Sequence, residues 1–568
     1  MRTIFTTLIL AICLVIAPLS GETELAAAQS GGPLSDPAPS DTLTIGITQF
    51  PSTFHPNIDS MMAKSYVLAM TMRPFTVFDA QWKLVCMLCI KLPTLENGMA
   101  VRETTQQGKE GIAVTYTIRK NARWGDGIPV TSMDVIFTWE AGRHPLSGVA
   151  NAELYRRILK IDAIDEKTFT LHFDRVSFDY NAINDFGLLP AHLERQSFTV
   201  PAEYRNRTLY DTDTTNPGLY FGPYRIEEVV TGSHIVLAAN ETWWGEPPHF
   251  KKIIVYVIEN TAAIEANLLS GAIDMIAGEL GLTLDQALSF EKRHGAEFNV
   301  IFKPGLVYEH IDLNLDNPLL ADRNLRQALL YGIDRVAISE QLFAGKQPVA
   351  QGPVSPLDWV YDSNIASYPY DPEKASALFD AAGWIKGEDG LRRNADGKHF
   401  SLTLMTTSGD HTRALVEQVI QSQWHQLGIK VNIRNQPARV FFGQTVTQRK
   451  FTGGAMFAWI SSPENIPRST LHSMEIPNAE NNYAGQNYTG YANDEADALI
   501  DAIEVELDRQ KRRELWARLQ TIYARDLPAL PLYYRAQPFV LPQWLKGVVP
   551  TGHQYPSTLW VENWKVSP

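Results

Sequence analysis

The residue pair with the clearest chemical spacing is Cys86-Met87-Leu88-Cys89, two thiols three apart between Val85 and Ile90. In an apolar stretch such a pair can be a structural disulfide, two buried thiols or a catalytic dithiol, the last of which needs an exposed thiolate of low pKa. A continuous strand would send positions i and i+3 to opposite faces and keep the sulfurs apart. Ser289-Phe290-Glu291-Lys292 has the spacing of a serine nucleophile with a lysine base, but the chain has no Lys-Thr-Gly partner, so a solvated helix face is the simpler reading. No serine has glycine two residues before it, no histidine is followed by glutamate, and the 13 histidines contain no i, i+4 pair. Neither a nucleophile elbow nor a preformed zinc cage is therefore written in the chain, and no cofactor or metal is expected.

Strand-like and helix-like patterns alternate along the whole chain, the mark of an α/β protein. Residues 42–47 alternate polar and apolar and predict a strand, as do 115–118 and 168–173. Ser132 opens a helix after the Gly125-Asp126-Gly127 turn. Residues 252–258 followed by 261–269 predict a strand and then a helix. Helices are predicted at 324–333, at 372–382 before Gly383, and at 412–427 before Gly428, the last flanked by strands 402–405 and 430–433. A long amphipathic helix at 504–524 and a short strand at 530–533 complete the pattern.

With 50 Lys+Arg against 63 Asp+Glu the formal charge is −13, and no basic run offers the electrostatic footprint of a nucleic-acid binder. Residues 1–28 predict a signal peptide: Met1-Arg2, an apolar run too short to span a bilayer, Pro18, then Ala26-Ala27-Ala28 as a cleavage site near Ala28. Cys13 lies inside the apolar run behind Ile12 and does not make a lipoprotein box. Residues 29–41, rich in Gly, Ser and Pro, predict a flexible leader.

Five blocks occur in an order that resembles one known family. They are Ile118 to Val135, containing Trp124-Gly125-Asp126-Gly127; Gly222-Pro223-Tyr224-Arg225 with Asn240 to Gly245; Leu269-Ser270-Gly271-Ala272-Ile273-Asp274; Leu313-Asn314-Leu315 with Asp322 to Arg335; and Tyr370 to Ala375 with Ala382-Gly383-Trp384. Over nearly the whole chain beyond residue 28 the sequence resembles the extracytoplasmic solute-binding proteins of ABC importers, in the oligopeptide, dipeptide and nickel group, family 5. Physically most of these residues read as structural: the glycines for turns, Asp134 and Asp371 for helix starts, Arg326 and Asp334 for ion pairs. The resemblance implies a two-lobed periplasmic binding protein fold, type II, large subclass, with an accessory domain inserted in lobe I. Lobe I would comprise 42–74, 216–309 and 535–568, the accessory domain 75–215, and lobe II 310–534. Strands near 308–315 and 530–533 would cross between the lobes, which close on ligand by a hinge motion.

The resemblance also implies two ligand-gripping segments, residues 50–62 and 456–464. From them the expected ligand contacts are Ser60, Met61, Met62, Phe457, Trp459, Ser461 and Ser462, with Asn487 of the 482–488 loop nearby. Peptide binders of the group carry an Asp three residues after the Trp, to pair with the peptide α-ammonium; here that residue is Ser462, leaving Glu464 or Asp59 to supply the charge. The function implied is a non-enzymatic, monomeric periplasmic receptor. It would capture peptide-like solutes between its lobes and deliver them to two ABC permease subunits in the inner membrane. Oligosaccharides, opine-like compounds and metal chelates are the alternative cargoes, and hand-over to a membrane sensor kinase is a further alternative role. The rival class is an exported hydrolase or thiol oxidoreductase using Ser289 or the Cys86–Cys89 pair.

Overall fold

The strand at Thr42–Ile47, buried at alternate positions and then continuously, belongs to a ten-stranded mixed sheet in a computed structural model that describes residues 41–58, 61–437, 440–480 and 485–567. The expected signal peptide and all but the last residue of the leader lie outside the described residues. From one edge, the strands run Lys430–Ile433, Ser401–Met405, Gly454–Ile460, Phe298–Leu313, Ala529–Pro542, Met275–Ile276, Thr42–Ile47, Lys252–Val257, His234–Ala239 and Tyr224–Val230. Each half of the sheet has its own parallel pairs, as at Thr42–Ile47 with Lys252–Val257 and at Ser401–Met405 with Lys430–Ile433. Parallel strands need crossover helices, and the helices predicted from the sequence supply them: Thr261–Leu269 in one half and His411–Gln426 in the other. The second ends at Gly428, whose φ of 90° is the left-handed geometry that glycine adopts freely.

The two central strands are 16 and 14 residues long, far beyond the short crossings predicted from sequence. They pair antiparallel twice: 298–304 with 536–542, and 308–312 with 529–534. The register slips between Pro304 and Tyr308. There Leu306 donates its N–H to the Gly552 carbonyl at 2.8 Å, and a Cβ on Gly305 would lie 2.4 Å from that same oxygen, so only glycine fits the interruption. A second slip between Glu309 and His310 faces Pro531 and turns the Leu532 carbonyl outward to accept from Ala350 N–H. The prolines that look like strand breakers thus sit where the ladder is already irregular or need not donate.

A separate four-stranded antiparallel sheet, Ala100–Thr104, Glu110–Thr117, Thr168–Phe173 and Ile158–Ala163, packs into the same apolar cluster as the first half of the large sheet. Phe75 makes edge contacts with Phe169 and Phe186, and Trp124 packs edge-on to Phe221. Thr131 and Asp134 form a capping box that starts helix Ser132–Arg143. A second apolar cluster packs Leu313, Leu329 and Trp424 together in the other half.

Three expectations are corrected. The helix read across 504–524 is two helices, Asp494–Val505 and Arg509–Asp526, because the Asp508 side chain accepts from Lys511 N–H and caps a new start. Arg326, read as a surface or interlobe ion pair, is instead buried and donates to the Asp526, Leu527, Leu320 and Ala321 carbonyls, closing helix ends. Asp334 caps helix Arg335–Phe343 through Ala337 N–H. Cys86 and Cys89 are joined by a disulfide with Cα atoms 5.2 Å apart; the strand ends at Cys86, so the opposite-face argument does not apply. Ser289 is exposed on helix Leu284–His294.

One buried acid sets a pH dependence. Glu417 is 1% exposed, Oε2 accepts from Asn435 Nδ2 at 2.7 Å, and Oε1 has no partner among the described residues. Burial pushes its pKa up to about 7, with Asn435 opposing. The folded state therefore holds an extra proton between roughly pH 4.5 and 7, and the stability this confers at low pH is lost as pH rises through 7. Glu417→Gln removes the buried charge: measured by thermal melting, its advantage over wild type is expected to grow by about 1–3 kcal/mol from pH 5 to pH 8. A difference independent of pH would refute the assignment.

Candidate functional site

The strand Gly454–Ile460 pairs antiparallel with the crossing strand, setting Trp459 opposite Tyr308, Phe457 opposite His310 and Ala455 opposite Asp312. Tyr308, His310 and Asp312 are alternate residues of one strand and so share one face. That face floors a cavity of about 140 Å³, the size of a side chain. Its walls are Trp459 and the chain that follows it, Val354 to Asp358, and Trp516 and Tyr523 of helix Arg509–Asp526. The floor is polar yet buried. His310 stacks on Tyr308 at 4.8 Å and 6°, its Nε2 lies 3.2 Å from Asp312 Oδ1, and the Tyr308 hydroxyl meets that of Tyr523 at 3.3 Å. Among the described residues no Lys or Arg lines this cavity.

Beyond Ile460, 66% exposed at the rim, the chain turns out of the sheet. Glu464 takes a positive φ of 59°, held by two contacts: its N–H donates to Asp358 at 2.8 Å, and its carboxylate pairs with Arg512 at 3.2 Å. Burial pushes Asp358 up to about 6, against the backbone N–H groups that favour its ionised form. On the far side of this loop a second cavity, about 390 Å³, opens toward Asn184, Asp185, Gln554 and Tyr555. Ser462, Glu464 and Asn465 line both, so the loop divides one cleft into a closed end and a wider mouth. Together they reach the volume range of small-ligand sites, roughly 300–1,000 Å³.

Of the residues expected at the site, Trp459, Ser461 and Ser462 line the cleft. Four do not. Phe457 is fully buried beneath Trp459, edge-on at 5.4 Å and packed with Phe441, Phe451 and Tyr488, so it supports the wall without forming it. Asn487 is also fully buried; its amide donates to the Leu471, His472 and Tyr491 carbonyls and accepts from Tyr491 N–H, which spends it on loop geometry. Met61 and Met62 start helix Met62–Thr71 and pack on the core of the first half, outside both cavities. Ser60 and Asp59 lie outside the described residues. Residues before them are pinned inward: Thr53 Oγ1 and Phe54 N–H donate to Asp211, and His55, its pKa driven down by burial and by Lys64, meets the Tyr204 hydroxyl at 3.0 Å. Glu464, a candidate for the missing charge, is already neutralised by Arg512.

Sequence reasoning missed Tyr308, His310, Asp312, Asp358, Tyr523 and Asp185. The alternation of Tyr308, His310 and Asp312 was a usable signal, because an ordinary buried central strand is apolar on both faces. Among the described residues no group of three His, Cys, Asp or Glu is placed to hold a metal ion, and no helix is long and apolar enough to cross a membrane.

Comparison with known proteins agrees with this architecture. The family described as bacterial extracellular solute-binding proteins, family 5 Middle, matches residues 94–478. The oligopeptide-binding protein AppA of Bacillus subtilis is 26% identical over 459 residues, covering 79% of this chain and 80% of its own. The oligopeptide-binding protein of Thermus thermophilus, solved with a pentapeptide, superposes with a TM-score of 0.68 at 29% identity, over 92% of this chain and 96% of its own. NikZ of Campylobacter jejuni, solved with Ni(L-His), reaches a TM-score of 0.70 at 22% identity, over 93% and 100%.

Proposed function

The chain belongs to the bacterial extracellular solute-binding proteins of family 5, and on that premise we propose that it is the receptor of an ABC importer, capturing a peptide-like solute in the cleft beside Trp459. The observation that carries the reading is the cleft itself. It combines an aromatic wall, Ile460 and Val354 at its apolar parts, neutral hydroxyls from Ser461 and Ser462, and buried carboxylates at one closed end. A peptide needs those features for side chains, backbone and ammonium respectively. The relatives named for oligopeptides support the same cargo.

The receptor works by closing. Residues 42–74, 216–309 and 535–568 form one lobe, 75–215 an accessory domain on it and 310–534 the other lobe, with bending at the interrupted pairing around Gly305. Lobe closure around the loop at 461–466 would bring the mouth residues onto ligand bound at Trp459. Residues 1–28 direct export and are removed near Ala28, and the loaded, monomeric receptor docks on permease subunits of the inner membrane. The protein binds and releases its cargo unchanged.

A thermal-shift series on residues 29–568 tests this. Unmodified tri- to pentapeptides are expected to raise the melting temperature and their N-acetylated forms to raise it less, because ligand that binds only the folded state stabilises it. A shift with maltotriose, octopine or Ni(L-His) and none with any peptide would overturn the peptide reading.

A further inference from the structure

The cleft is acidic in a way that folding does not use up. Among the described residues, seven carboxylates line its two parts, Glu153, Asp179, Asp185, Asp312, Asp358, Glu464 and Glu504, with Arg157 and Arg468 as the cations. Both cations are engaged, Arg468 by Glu504 at 2.8 Å and by Asp501, and Arg157 by Asp179 at 3.8 Å and Asp174 at 3.9 Å. Glu464 has Arg512, Glu153 has Arg175 and Arg156, and Asp358 accepts two backbone N–H groups while capping its own turn.

Among the described residues Asp358, Asp312 and Asp185 have no Lys or Arg partner, and of these Asp312 and Asp185 also lack the backbone N–H groups that satisfy Asp358. Asp312, 5% exposed, lies at the closed end with His310 as its neighbour. The His310 ring is 1% exposed, faces the same cavity, and its Nε2 has no hydrogen-bond partner among the described residues despite its closeness to Asp312. Asp185 is exposed at the mouth, where its carboxylate accepts from the Tyr555 hydroxyl at 3.4 Å and the surrounding protein pushes its pKa up. Asp312, buried without a Lys or Arg among the described residues, destabilises the empty state, and a bound cation relieves that cost.

We propose that the cargo is cationic beyond a terminal ammonium, a basic peptide whose charged groups pair with Asp312 at the closed end and Asp185 at the mouth. This rests on the peptide-receptor reading above and narrows it. An acidic ligand would meet unpaired carboxylates at both ends and, among the described residues, no free cation, so rejection is built into the same residues.

Calorimetric titration with trilysine, trialanine and triglutamate tests it, with spermidine as a cation that is no peptide. Trilysine is expected to bind at least about tenfold tighter than trialanine, from one charge-assisted contact, and triglutamate not measurably. Asp185→Asn and Asp312→Asn, each checked for unchanged melting without ligand, are each expected to shrink the preference for trilysine over trialanine. Equal binding of the three tripeptides, or a preference that survives in both variants, overturns the inference and leaves the peptide reading standing. Binding of spermidine with no tripeptide bound, weakened by Asp185→Asn, would overturn the peptide reading and, with it, the peptide nature of the cargo, leaving only the pairing of a cation with Asp185. If neither spermidine nor any tripeptide binds, both fall.

Discussion

Glu309→Ala is expected to cost the fold about 3–5 kcal/mol, because it leaves two guanidiniums without the charge they were buried against. Glu309 is fully buried on the crossing strand. Arg413 of helix His411–Gln426 donates to one carboxylate oxygen at 2.7 Å, and Arg535 of the second crossing strand pairs with the other at 2.6 Å. The triad thus ties both crossing strands to a helix of one half, immediately beyond the pairing slip at 305–307. Burial pushes the Glu309 pKa up, but Arg535 and Arg413 outweigh it and hold the group ionised below its ordinary value. A depressed acid contributes stability that is present above its unfolded pKa and lost as pH falls through the folded one, so the penalty of Glu309→Ala is expected in full at pH 7 and reduced in acid. The check is urea unfolding of the mature chain at both pH values. A companion removes the argument's main ambiguity: replacing Glu309, Arg413 and Arg535 together by Leu, Met and Met removes the charges as a set and is expected to cost less than the single change. A triple variant weaker than Glu309→Ala would mean that lost packing, and not the orphaned charge, drives the loss.

The same triad shows where the sequence runs out of information. Glu309 reads as one polar residue in an alternating strand, and its partners lie 104 and 226 residues away, so nothing local marks it as buried. Half-buried strands such as Thr42–Ile47 and capped helices such as Pro372–Ala381 were legible because each carries its own periodicity and its own cap in a few residues. The lengths of the crossing strands were not, since Pro531 and Pro538 are punctuation by local rules and are tolerated here by a slipped register. The break at 506–508 was hidden because the apolar spacing runs on across it while one aspartate restarts the helix. At the cleft the division is the same. Trp459, Ser461 and Ser462 are one short segment and could be named from it; Asp185 and Asp312 reach the same cleft from places that only long-range pairing brings there. Phe457 and Asn487 failed as ligand contacts for a physical reason, namely that a wall exposed to ligand on one side must be packed on the other.

That support decides how Trp459 can be tested. Its ring stacks on Tyr488 at 5.7 Å and 28°, and its indole carries one N–H, so a flat face and a donor can both meet ligand. Truncating a buried aromatic anchor of a binding site typically removes 2 kcal/mol or more, so Trp459→Ala is expected to weaken binding of the best tripeptide by about 30-fold or more. Trp459→Phe keeps the apolar face and the packing on Tyr488 but lacks the donor, and is expected to fall between, losing about one hydrogen bond's worth of affinity, roughly three- to tenfold. Both are measured by titration calorimetry, with melting of the unliganded variants as the control. Because Phe457 fills the space behind the ring, loss of Trp459 also loosens its neighbours, and a melting drop without ligand is expected for Ala and not for Phe. The two losses separate in the pair: affinity that falls with Phe at unchanged melting temperature belongs to the indole donor at the ligand. A Trp459→Ala protein that is folded and binds the tripeptide as wild type does would place the ligand elsewhere, away from the wall on which the cleft reading depends.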